Sequence, residues 1–219
     1  NASAGRQRFT LAEGFLVANT AGNGGERAAL QANARWASDF LALMQFKYNE
    51  TKIELFQIDP DELPILDTHT KINGINIEDS SLPSLSLAAS YLTVPTSDAG
   101  YFLPDGSRLS REGLRVTDVR ARWQPKPTGL TGPYIAAEYA RQSNENFPMR
   151  ATGYYGELGY AFAEKSWSPT FSYRYSRFSG DDPDTPDRFE RWDPLLSGGN
   201  GEQFVQGVNH FKVVQIGNV

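Results

Sequence analysis

Seven arginines recur on the polar side of alternating stretches: Arg6, Arg8, Arg27, Arg35, Arg120, Arg122 and Arg174, with Lys47 among them. A guanidinium stays charged and pairs with carboxylates through a two-pronged fork, so several facing one space form a positive constriction that attracts anions. Asp39, Asp118, Glu138 and Glu157 fall on the same side. The arginines therefore have a second use, neutralising acids across neighbouring strands, and the sequence leaves both uses open. A further constellation is Asp181, Asp182 and Asp184, with Asp187 just beyond. Clustered carboxylates are the ligand type calcium takes, which makes Asp181, Asp182 and Asp184 candidate metal ligands. The spacing is not that of an EF-hand, and the same acids also suit turn caps or pairing with Arg177, Arg188 and Arg191. Bond-breaking chemistry has little support. Asp181 and Asp182, or Asp59 and Asp61, are close in sequence, but nothing fixes the separation that a glycosidase pair needs. His69 and His210 are the only histidines, neither in metal-ligand spacing nor beside a nucleophile elbow. The glycine-rich 22–25 lacks the lysine of a phosphate loop. We expect no enzyme and, calcium aside, no cofactor.

Strands must position these residues, because hydrophobicity alternates with period two and no helical period persists. In 170–178, Phe171, Tyr173 and Tyr175 face one way, while Thr170, Ser172, Arg174 and Ser176 face the other. Residues 114–123 turn Val119, Ala121 and Trp123 one way and Asp118, Arg120 and Arg122 the other. Further strands are expected over 5–11, 26–36 (where the alanines also permit a helix), 40–48, 51–58, 70–78, 85–94, 134–141, 150–163 and 206–216. The count is about ten to eleven strands, several of about ten residues, the length a tilted strand needs to cross a bilayer. Long polar loops are expected at 59–68, 95–110 and 180–194, and short turns at 49–50 and 125–129. A soluble sandwich would bury the aromatic faces in a core; an outer-membrane barrel would turn them to lipid and the arginines to a lumen.

Composition narrows the classes. The chain has 219 residues, is 39% hydrophobic, and contains 20 glycines, 10 tyrosines, 13 phenylalanines and 4 tryptophans. Trp36, Tyr48, Tyr91, Trp123, Tyr160 and Tyr173 suit an interfacial girdle. The absence of cysteine excludes disulfides, thiolate metal sites and cysteine nucleophiles. A net charge of −5 disfavours nucleic acid as a partner. No run of about twenty apolar residues offers a transmembrane helix. The chain opens on Asn1-Ala2-Ser3 without a leader and closes on Val219 rather than a terminal aromatic residue. We therefore expect residues 1–219 to form a single β-barrel domain that is an internal portion of a longer barrel.

The strand at 170–178 running into SGDDPDTPDRFERWDPL resembles the hallmark of the alginate-export family of outer-membrane β-barrels, and GRQRF at 5–9 resembles a strand found earlier in that family. The resemblance implies an all-β, antiparallel transmembrane barrel of roughly eighteen strands in the bacterial outer membrane. It implies a channel whose arginine-lined lumen passes an anionic polysaccharide or a similar anionic solute. A polyuronate carries one carboxylate per sugar, which a ladder of arginines can hand along. The expected partners are membrane lipid or lipopolysaccharide, the anionic solute, and envelope-spanning proteins. The alternatives are a general porin, a structural barrel within a larger complex, and a secreted β-sandwich that binds carbohydrate.

Overall fold

The computed structural model describes residues 1–7, 9–18, 38–62, 65, 67–103, 105–125, 131–165, 167–182, 184–185, 187–196 and 209–212. Among them there is no helix. Ten strands form one antiparallel sheet in the order β1-β2-β3-β4-β5-β8-β9-β10-β11-β12. They are β1 (Ala2–Gly5), β2 (Ser38–Tyr48), β3 (Thr51–Pro60), β4 (Lys71–Leu82), β5 (Leu85–Thr96), β8 (Leu114–Trp123), β9 (Gly132–Asn144), β10 (Ala151–Ala161), β11 (Thr170–Phe178) and β12 (Asn209–Lys212). A small hairpin, β6 (Gly100–Phe102) with β7 (Arg108–Ser110), stands in the loop between β5 and β8. The strands follow one another as neighbours, which is what short antiparallel connections produce. Among the described residues β1 and β12 do not pair with each other.

Why these residues form strands is plain in β9, where buried and exposed positions alternate without a break from Gly132 to Gln142. Away from the long-loop end of the sheet, the two faces have the reverse of the usual polarity. The outer face carries Phe46 at 51% exposed, Val119 at 51% and Leu158 at 58%, whereas inward Asp118 is 0% exposed and Glu138 3%. Tyr48, Tyr91, Trp123 and Tyr160 are exposed on that outer face, and Tyr173 is half-buried. Trp36 lies outside the described residues.

The strands' two ends differ. At one end the connections are short, Asn49-Glu50 with Asn49 in the left-handed region and Pro83-Ser84. At the other end they are long, and there the chain folds back onto the inner face. Residues 9–18 and 187–196 pack on it side by side, joined by a bridge between Val17 and Leu196. Leu11, Phe15, Leu16 and Val17 meet Leu41, Ile58, Ile72, Leu92, Leu114, Val116, Phe178 and Trp192 in one apolar cluster. Each fully buried side chain of this kind contributes roughly 1.5–3 kcal/mol, so the cluster anchors this end of the sheet.

Three expectations need correction. The strand expected over 5–11 does not form: pairing stops at Gly5, whose φ of 124° turns the chain out of the ladder. The loop expected over 95–110 contains the β6–β7 hairpin, closed by Gly106 at φ 84° and an Asp105 side chain that accepts the Ser107 N–H. Strand β4 runs on to Leu82 rather than ending near 78. The strand expected over 26–36 lies outside the described residues, and of 206–216 only Asn209–Lys212 is described.

Candidate functional site

The inner face below the apolar cluster is a continuous polar wall. It begins on β2, where Gln45 donates to Glu54 Oε1 of β3 at 2.7 Å, while Asn76 of β4 donates to Glu54 Oε2 at 2.8 Å. Ser90 of β5 donates to Asn76 Oδ1 at 2.9 Å and accepts from Arg120 Nη1 of β8 at 2.9 Å. Arg120 also donates to Asn76 and pairs with Asp118. Further round, Tyr134 of β9 donates to Glu157 Oε1 of β10 at 2.6 Å, and Arg174 Nε of β11 donates to Glu157 Oε2 at 2.5 Å. Arg174 also lies 4.7 Å over the Tyr155 ring and 3.8 Å from Glu13. Most of these links join side chains on the same face of neighbouring strands, which antiparallel register brings within reach; Arg120 also reaches across β5 to Asn76. Part of this wall borders an open cavity of about 680 Å³, which Arg120, Arg122, Arg174, Glu157 and Tyr134 line.

The seven arginines do not meet as a group. Arg120, Arg122 and Arg174 come together at this cavity. Arg6 lies at the long-loop end, half exposed, donating to Asp61 at 2.7 Å and facing Asp39 at 3.5 Å. Arg8, Arg27 and Arg35 lie outside the described residues. Arg120 and Arg174 are committed to buried carboxylates, as the neutralising alternative has it. Arg122 differs: its guanidinium stacks 4.0 Å over the Tyr134 ring, and no acid pairs with it among the described residues. Lys52 adds a cation that bridges Glu54 at 3.4 Å and Glu78 at 3.2 Å.

The calcium ligand set is not assembled. Asp181 Oδ1 accepts the Glu190 N–H at 2.9 Å, and Asp182 Oδ1 accepts the Asp184 N–H at 3.0 Å. These are turn caps, the job short acidic side chains do in such loops. Among the described residues no group of three or more histidine, aspartate or glutamate side chains is placed to hold a metal ion.

Sequence reasoning missed Asp193. Its carboxylate receives Arg111 Nε and Nη2, both at 2.8 Å, and the Tyr101 hydroxyl at 2.7 Å. Its backbone is held from both sides by Gln142, which donates to the carbonyl at 2.6 Å and accepts the N–H at 2.8 Å. Burial raises the Tyr101 hydroxyl above the usual phenol range, and the neighbouring Asp193 charge adds to the effect. Burial works against the Arg111 charge, but Asp193 outweighs it and leaves Arg111 a stronger base than usual. Asp193 thus pins 187–196 against β9 and the β5–β8 loop. It lies in the WDP sequence at the end of the motif already singled out, within the loop expected at 180–194, and nothing in the sequence names its partners.

Compared with family models, curated proteins and solved structures, the chain finds no match in any of the three.

Proposed function

We propose that this chain forms part of the wall of an outer-membrane β-barrel of the alginate-export type, a passive channel in which no bond is made or broken. One observation carries the reading: the large apolar side chains are exposed on one face of the sheet, while Asp118, Glu138, Glu157 and Arg174 are buried on the other. In water that arrangement loses the hydrophobic contribution of a whole face. In lipid, with the inner face around a hydrated passage, it is the expected one. Strands of ten to thirteen residues, such as β3, β5 and β9, have the length to cross a bilayer at a tilt. The resemblance of SGDDPDTPDRFERWDPL supplies the family.

The solute is an anionic polysaccharide or a smaller anion, and the residue we assign to it is Arg122. Its positive charge faces the cavity, with the guanidinium laid over the buried Tyr134 ring. Arg120 and Arg174 shape the wall more than they attract the solute, since their charges are matched.

The test is single-channel conductance of the detergent-purified protein in a planar bilayer, titrated with polyuronate and with a neutral glucan. Block by polyuronate alone is expected, with weaker block after Arg122→Gln. Equal block by both polymers would point to a general porin. Solubility without detergent, with no conductance, would point to the secreted sandwich.

A further inference from the structure

Two carboxyls on the inner wall face each other without a donor between them. Asp118 of β8 and Glu138 of β9 are both buried. Their strands are neighbours, and the register sets Glu138 opposite Arg120, one inward position along from Asp118. The two carboxyls lie within hydrogen-bonding reach of each other. Arg120 serves Asp118 through Oδ2, and the Tyr155 hydroxyl bonds Glu138 from the other side. Asp118 Oδ1 and Glu138 Oε2 remain, each buried and neither with a partner. An ionised carboxylate only accepts, so two buried carboxylates on diagonal positions of one face, each with an oxygen that has no partner, would lose their hydration and repel.

We propose that Asp118 and Glu138 share one proton across the seam between β8 and β9, so that the pair carries a single negative charge. The O–H of one carboxyl donates to the ionised oxygen of the other, which gives both orphan oxygens a partner. The charged and titratable groups packed around the pair are Arg120 on β8, Tyr155 on β10, Arg174 on β11 and Glu13 from the inserted segment; Ser90 on β5 and Asn76 on β4 are neutral. With the proton in place, the pair contributes one negative charge to the wall rather than two, beside Arg120, Arg122 and Arg174. Loss of the proton adds a second negative charge to the wall. The pair itself stands on the burial, the register and the partnerless oxygens of the two carboxyls; its effect on ion preference rests on the channel reading above.

The experiment is infrared spectroscopy of the folded full chain, read at the carbonyl stretch of a protonated carboxylic acid. The expected result is one such band per chain at neutral pH, absent from both Asp118→Asn and Glu138→Gln. Either change leaves one carboxylate and gives it an amide N–H donor. No acid band in the unsubstituted chain, or a band unchanged in both variants, would overturn the proposal. Should a variant fail to fold, the unsubstituted chain still decides, because raising the pH must convert one acid carbonyl per chain to carboxylate while the sheet signal persists. The reversal potential across a bilayer separates the two readings. An acid band without conductance keeps the pair and removes the channel; conductance without the band does the opposite. With both, alkaline pH shifts preference towards cations, and Glu138→Gln abolishes that shift.

Discussion

Glu157 is the acid that Arg174 most depends on. It holds Arg174 through two nitrogens and Tyr134 through its other oxygen, and all three side chains are largely withdrawn from water. Removing one partner of a buried pair leaves an uncompensated charge, a loss of about 3 kcal/mol. Glu157→Gln should therefore lower the unfolding free energy by that amount, read as a lower urea midpoint with an unchanged slope. Adding Arg174→Met to that change should recover part of the loss, since an apolar replacement for the whole pair carries no stranded charge. A loss under about 1 kcal/mol for the single change would mean that water reaches the pair. Tyr101 gives a pH prediction. Its hydroxyl is raised in the folded chain, so its contribution is complete below the ordinary tyrosine range. Above that range the unfolded chain ionises first, and stability falls as the pH rises further. Tyr101→Phe should flatten this alkaline decline, which thermal melts across the alkaline range would register.

Among the elements, β10 contains its own control. Gly159 lies opposite Tyr134 in the register, and a Cβ placed there would strike the Tyr134 ring. Gly74 opposite Phe56 repeats the arrangement on β4, so an inward ring lies flat over a neighbouring glycine at two places in the wall. Gly156 points outward, with nothing within 4 Å of such a Cβ. Gly159→Ala should cost about 1–3 kcal/mol by overpacking, and Gly156→Ala well under that; equal urea midpoints for the two variants would refute the ring seat. The strands themselves were legible. Leu114–Trp123 and Thr170–Phe178 appear where the alternation sets them, because both faces are chemically distinct at every step. Residues 5–11 alternate too, yet they leave the sheet at Gly5, a backbone decision that composition does not record. The candidate site was legible only as a list. The sequence places Arg120, Arg122 and Arg174 on the inward face, but register and rotamer decide that Arg120 meets Asp118 rather than the Glu138 directly opposite. Asp193 was invisible for a related reason, since its partners Arg111 and Tyr101 lie in another loop.

For the molecule as a whole, the outer face decides which solvent the fold is built for. Val119 and Leu158 stand exposed in the body of the sheet, each among apolar neighbours. On a lipid-facing surface, Val119→Arg or Leu158→Arg should cost about 2–4 kcal/mol near the bilayer midplane. On a surface facing water, either change should stay within about 0.5 kcal/mol. Guanidinium unfolding from lipid vesicles reads the difference, and near-neutral values for both would remove the membrane reading.

Asp193 also bears on the order of events in folding. Its bonds to Arg111 and Tyr101 join residues 82 and 92 positions apart, with β8, β9, β10 and β11 lying between. A contact of that span cannot form until the intervening hairpins have brought its partners together, because loop closure has to come first. The hairpins, each closed locally, zip early; the segment 187–196 docks last and is absent from the rate-limiting barrier. Asp193→Asn should then leave the refolding rate nearly unchanged and speed unfolding. The strength of that late bond therefore governs how long the native state lasts once formed, and has little bearing on how fast it is reached.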